Sequence, residues 1–252
     1  MASPAPPRPV DGFFARNRAA VSLPRGGAES REPAPGIVNK LSVARRTAAR
    51  RLQQSKQTIP HFYLQTSFNA EPMIAARTAA LPQKLVWEAF FVKALTMAIP
   101  RFDQMACRFE DEQLVPQGTD TIGVAADIEG DLFVIPVEAP REKSVGEISR
   151  DIRDRIEAIR SGDPLARTFK PGAMTISNLG ACNIETFTAI INPPESAILA
   201  IGKIRPVITA AGEAAFAVQH RANITLSVDH RVANGKYAAD FLGTIVEELE
   251  KL

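Results

Sequence analysis

The spacing of apolar positions switches several times between a helical and an alternating period, and each switch predicts an element. After Ser42, which can cap a helix, Val43, Ala44, Thr47, Ala48 and Leu52 recur at helical spacing. Beyond Thr58-Ile59-Pro60, the residues Phe62, Leu64 and Phe68 share one parity, as a strand over residues 61–68 would place them. Residues 85–99 leave little polar surface and predict a central helix. Ile122, Val124 and Ala126 alternate, Glu129-Gly130-Asp131 reverses the chain, and residues 132–137 return as a second strand of a hairpin. Ser144 with Glu147 three positions later forms a capping box that opens an amphipathic helix carrying Ile148, Ile152, Ile156 and Ile159 inward. Further strands are predicted at 174–179, 196–201 and 222–228, and a last amphipathic helix carries Tyr237, Phe241, Leu242, Ile245, Val246 and Leu249. Helices and strands interleave through hairpins rather than regular βαβ repeats, which predicts an α+β fold on a mixed sheet. Residues 1–36, rich in Pro, Arg, Gly and Ala, hold no period and predict a flexible N-terminal arm. Phe13 and Phe14 could anchor that arm to the body or to a neighbouring subunit.

Composition narrows the class. With 45% hydrophobic and 23% charged residues and a net charge of +2, the 252-residue chain has the balance of a soluble globular protein. No apolar run reaches the roughly 18 residues of a membrane span, and the proline-rich start is unlike a secretory signal, so a cytoplasmic protein is expected. Cys107 and Cys182 have no ligand-like spacing to a histidine; both are expected to be buried small hydrophobes, with no disulfide framework and no metal. Near-neutral charge argues against nucleic acid, and Arg45, Arg46, Arg50 and Arg51 are read as a solvated or interface helix face. Neither a glycine-rich phosphate loop nor a Gly-x-Ser-x-Gly elbow is present, which removes most nucleotide-enzyme and hydrolase readings.

Chemistry then falls to three histidines. His61, next to Pro60 at a strand start, reads as structural, and His220 as a surface imidazole. His230 follows the apolar row of Ala222, Ile224, Leu226 and Val228, so it is expected to continue that inward row at the strand's last position, beside a tight turn. A strand end next to a turn is where a rigid scaffold presents a reactive side chain.

The segment Asp229-His230-Arg231-Val232-Ala233-Asn234-Gly235 resembles the Asp-His-Arg-x-x-Asp-Gly signature of the catalytic domain of 2-oxoacid dehydrogenase dihydrolipoamide acyltransferases, the E2 subunits, which share the chloramphenicol acetyltransferase fold. Supporting segments stand in the family's order at 45–52, 57–64, 174–180 and 191–199, and the likeness covers about residues 40–250. The resemblance implies a two-layer mixed sheet with helices packed on one face over residues 37–252. It also implies a homotrimer with active sites in channels at subunit interfaces, entered by acyl-CoA from one end and by the acceptor from the other. His230 would be the general base that removes the acceptor proton, and Ser177 the hydroxyl, from the neighbouring subunit, that bonds the oxyanion of the tetrahedral intermediate. Loss of one such donor costs about 2.7–4 kcal/mol of barrier.

Asn234, counted with His230 and Ser177 among the catalytic residues, departs from the signature's aspartate, removing a carboxylate that could pair with a nearby arginine while keeping the hydrogen-bonding shape, a change compatible with activity. A 36-residue arm is too short for a lipoyl or subunit-binding module, so no lipoyl attachment site of its own is expected, nor, from the ending Glu250-Lys251-Leu252, a docking tail. On those grounds the expected function is a stand-alone acyltransferase, moving an acetyl or short acyl group from coenzyme A to a hydroxyl or thiol of a small-molecule or carrier-linked acceptor, above all as an O-acyltransferase on an intermediate such as a tetronate, and working as a free trimer. The alternatives are an E2 core serving lipoyl domains carried on other chains and a non-catalytic scaffold of a dehydrogenase complex.

Overall fold

The computed structural model describes residues 42–118, 120–210 and 215–252. The chain divides into Met1–Lys40 and Leu41–Leu252; the expected arm, with Phe13 and Phe14, lies outside the described residues. Helix α1 (Val43–Thr58) begins at Ser42, whose hydroxyl accepts from the Arg45 amide at 3.0 Å. Strand β1 (His61–Asn69) leads to the short α2 (Glu71–Ala79) and the apolar α3 (Trp87–Ala98). Two single 3₁₀ turns and a small hairpin, β2 (Cys107–Glu110) with β3 (Gln113–Pro116), precede the long hairpin of β4 (Thr121–Ile128) and β5 (Asp131–Glu138). That hairpin closes on Glu129 and Gly130, with φ of 57° and 85°, the two positive values that a two-residue turn between twisted strands requires. Helix α4 (Val145–Arg160) has the full capping box of Ser144 and Glu147. Strands β6 (Thr175–Asn178), β7 (Ala197–Ile201), β8 (Arg205–Ala210) and β9 (Phe216–Asp229) then lead to α5 (Gly235–Glu250).

The sheet runs β1-β9-β7-β6-β4-β5, parallel at β4/β6 and β6/β7 and antiparallel elsewhere, with β8 paired to the first half of β9. Its register builds both faces. Ile135, Val124, Ile176, Leu199, Leu226 and Leu64 are successive cross-strand partners, so one apolar row crosses six strands. Onto that face pack α3, α4 and α5, whose Phe90, Phe91, Ile148 and Phe241 are almost wholly buried, each stabilising by about 1.5–3 kcal/mol. The adjacent row, Val134, Ala125, Ser177, Ala200 and Thr225, faces the other way. Its small side chains leave a hollow there that α1 helps to wall, so the helical layer covers one face as expected and α1 stands apart from it.

Three expectations are corrected or extended. Cys107 is buried, but Cys182 is exposed because it sits on a 3₁₀ turn, Gly180–Cys182, outside the core. β9 is 14 residues long rather than seven, and its first half joins β8 in a ribbon whose Ile208, Phe216 and Val218 are 72%, 80% and 67% exposed. Elements α2, β2, β3 and β8 had no prediction. Among the described residues no helix is long and apolar enough to cross a membrane.

Candidate active site

The turn after β9 is built by its own charges. Asp229, 2% exposed, donates its amide to the Ser196 carbonyl at 2.8 Å. Its carboxylate accepts from the Arg231 amide (3.0 Å), Nε (3.0 Å) and Nη2 (2.7 Å), a fork that clamps the residues on either side of His230. The Arg231 guanidinium also lies over the Phe109 ring, 4.4 Å from its centre. The amides of Val232 and Ala233 both donate to the Asp229 carbonyl, so the chain curls at Asp229 instead of staying extended. This corrects the expected inward, strand-terminal place of His230: it is a turn residue and exposed, with its amide donating to Pro60 at 3.1 Å. Its imidazole packs against Phe62, ring centres 4.6 Å apart.

Asn234 caps α5, its Oδ1 accepting from the Tyr237 amide at 2.9 Å. Arg231, the arginine on this turn, is already paired with Asp229. Asparagine and aspartate cap helices about equally well, which accounts for asparagine here.

Ser177, in the middle of the small-residue row, lines a cavity of about 500 Å³. Among the described residues its hydroxyl has no hydrogen-bond partner, unlike an ordinary strand serine bonded to backbone. Around it stand Arg51 and Leu52 of α1, Phe133 of β5, Arg167 and Phe169 of the loop after α4, and Phe187, Ile190 and Asn192 of the loop before β7. Arg51 stacks on Phe169 at 4.5 Å, and Arg167 donates to the Ile159 carbonyl at 3.2 Å.

His61, read from the sequence as structural, and two serines given no role there hold this wall. Ser227 donates to Ala189 O (2.8 Å) and Ser55 to Ile191 O (2.6 Å), while the Ile191 amide donates to His61 Nε2 (3.2 Å). With Nδ1–H donating to Ile59 O at 2.9 Å, His61 is held as the neutral tautomer, and burial lowers its pKa, helped by the charge of Lys56. Behind the cavity Glu195, 1% exposed, accepts from Thr175 Oγ1 (2.6 Å) and the Gly172 amide (3.1 Å). Burial pushes its carboxyl up to about 7, against those two bonds and the charge of Arg51. Glu195 falls within the family-like segment 191–199, but nothing in that segment gave it a role.

Ser177 and His230 of one chain do not meet. Ser177 pairs with Ala200 and Ala200 with Thr225, so Ser177 is two strands over from a point five residues before His230. At about 4.8 Å per strand and 3.3 Å per residue, their Cα atoms are roughly 19 Å apart.

This mixed sheet, with helices packed on one face and a cavity on the other, is of the chloramphenicol acetyltransferase-like fold class. A chloramphenicol acetyltransferase superposes with a TM-score of 0.51 over 80% of this chain and 92% of its own, at 11% identity, a likeness of fold alone. Within that class, the chain belongs to the 2-oxoacid dehydrogenases acyltransferase (catalytic domain) family, which matches residues 34–252. It is 31% identical over 245 residues to the dihydrolipoyllysine-residue acetyltransferase component of the pyruvate dehydrogenase complex of Zymomonas mobilis, covering 94% of this chain and 55% of that one. It is 29% identical over 258 residues to the lipoamide acyltransferase component of the branched-chain alpha-keto acid dehydrogenase complex of Bacillus subtilis, covering 98% and 59%. The chain therefore spans little more than half the length of these curated relatives. A probable dihydrolipoamide acetyltransferase from Listeria monocytogenes superposes with a TM-score of 0.81 at 26% identity, covering 87% of this chain and 96% of that one.

Proposed function

We propose that the chain is the catalytic core of a dihydrolipoamide acyltransferase, exchanging an acyl group between coenzyme A and the thiol of a lipoyl group carried elsewhere. The family match over residues 34–252 carries this reading. It replaces the small-molecule hydroxyl as the expected acceptor, because that expectation rested on where the chain begins and ends, while the relatives reported above are lipoyl acyltransferases by name.

In this mechanism His230 takes the proton of the attacking thiol, and the thiolate adds to the thioester carbonyl. The oxyanion of the tetrahedral intermediate is held by the free Ser177 hydroxyl. Collapse breaks the original carbon–sulfur bond, and the leaving thiolate recovers the proton from His230. As the α5 cap, Asn234 fixes the end of the turn that carries His230. With roughly 19 Å between Ser177 and His230 in one chain, a working site pairs His230 of one protomer with Ser177 of the next, which a homotrimer supplies.

The test is acyl transfer followed by mass spectrometry, with acetyl-CoA and isobutyryl-CoA as donors and dihydrolipoamide, a lipoylated domain and a panel of small alcohols as acceptors. Transfer to the dithiols that disappears in His230→Ala supports the reading. Transfer to an alcohol alone would return the reading to a hydroxyl acceptor, and no transfer to any acceptor would favour a scaffold.

A further inference from the structure

The loop between α4 and β6 supplies Ala166, Arg167 and Phe169 to the cavity, and Lys170 ties it to the end of β5 through an exposed ion pair with Glu138 at 2.7 Å. It rejoins the sheet at Gly172 and Ala173. The Ala173 amide donates to Thr121 O at 2.9 Å, and a Cβ on Gly172 would lie 2.6 Å from that same oxygen, so only glycine admits this approach. One step further in, the Thr175 hydroxyl occupies the space that a Cβ on Gly123 would fill, 2.6 Å away. The Glu195 carboxylate links these two close approaches, one oxygen accepting from the Gly172 amide and the other from the Thr175 hydroxyl. The first contact holds the end of the loop and the second holds the strand that carries Ser177 two residues on.

We propose that Glu195 is a positioning residue that braces the cavity-wall loop 163–172 against β6, setting the distance between Arg167 and Phe169 on one side and Ser177 on the other. Resting on the acyl-transfer reading, this makes Glu195 a determinant of how acyl-CoA is seated, although it lies behind the wall and touches no substrate. Burying a carboxyl this completely is costly unless both oxygens are used, and here both are. The charged group acting on it is Arg51 of α1, on the cavity side, which also stacks on Phe169 of the braced loop.

The experiment uses the full chain with Glu195→Gln and Glu195→Val, measuring the acetyl-CoA KM and kcat with dihydrolipoamide and the hydrogen exchange of peptides covering 163–175. Glutamine can accept from Gly172 and donate to Thr175; valine can do neither. The valine variant should raise the KM about tenfold with kcat changed by less than about threefold, and it should speed exchange in 163–175. Glutamine should restore both toward wild type. A purely structural role would lower the melting temperature without moving the KM of the folded protein. Wild-type KM and exchange in the valine variant, or a glutamine variant as impaired as valine, would overturn the brace. If valine prevents folding, Glu195→Asp, one methylene short of both partners, takes its place with the same expectations. A wild-type protein that transfers nothing would sink the acyl-transfer reading alone, and the exchange data would still judge Glu195.

Discussion

Two inactive variants of this protein should make an active one when they assemble together. The sheet register separates Ser177 from His230 by roughly 19 Å between Cα atoms, and the two side chains together bridge less than half of that. A chain with Ser177→Ala keeps its histidine, and a chain with His230→Ala keeps its serine. In a cyclic trimer holding both kinds of chain, going round the ring in the direction from histidine donor to serine donor, one of the three interfaces joins the two intact residues. Doubly tagged mixed trimers should therefore show about a third of the wild-type kcat per trimer. The Ser177→Ala trimer alone keeps about one per cent or less, given a loss of about 2.7–4 kcal/mol, and His230→Ala no more. The assay is co-expression with two affinity tags, sequential purification, and acetyl transfer from acetyl-CoA to dihydrolipoamide. Mixed trimers no more active than their parents would refute the shared site.

Glu195→Gln should change how stability depends on pH. A carboxyl held near 7 when folded and near 4.5 when unfolded lends stability that is complete below about 4.5 and lost as pH rises through 7, about 3 kcal/mol in all. Urea unfolding should find the glutamine variant gaining on wild type from pH 5 to pH 8, and parallel curves would show that Glu195 titrates normally. Asn234→Asp should leave the melting temperature nearly unchanged, whereas Asn234→Ala should cost about 1 kcal/mol, or about 2–4 °C by calorimetry. An unaffected alanine variant would mean that the cap is dispensable. Ile208→Lys with Val218→Lys should leave the circular dichroism unchanged and shift sedimentation toward monomer if the exposed ribbon lies in the subunit contact; an intact oligomer would place the contact elsewhere.

Legibility in the sequence followed locality. The capping box at Ser144, the turn at Glu129-Gly130 and the stripe of α5 are each written within a few residues and stand as expected. β8 escaped because Pro206 is a poor strand residue except on an edge, which is where β8 lies. β2 and β3, four residues each around a turn with positive φ at Asp111 and Glu112, are too short to show a period. In the site, Asp229, His230 and Arg231 are neighbours in sequence and were read together, although alternation alone put His230 on the wrong side of the turn. Glu195 stands in the family-like segment 191–199, yet its role stayed hidden because its partners lie 20 and 23 residues away, and nothing in a Pro-Pro-Glu loop announces a buried carboxyl.

The ribbon of β8 and β9 bears on how the protein is made as well as on what it does. A newly folded single chain presents Ile208, Phe216 and Val218 to water beside the outer edge of β8, which no described strand covers. If that surface is a subunit contact, it is open to any sticky chain nearby until it meets its counterpart. Yield in the cell then becomes a race between correct encounter, which speeds up with concentration, and capture by chaperones or aggregates, and dilute or slow synthesis favours the second.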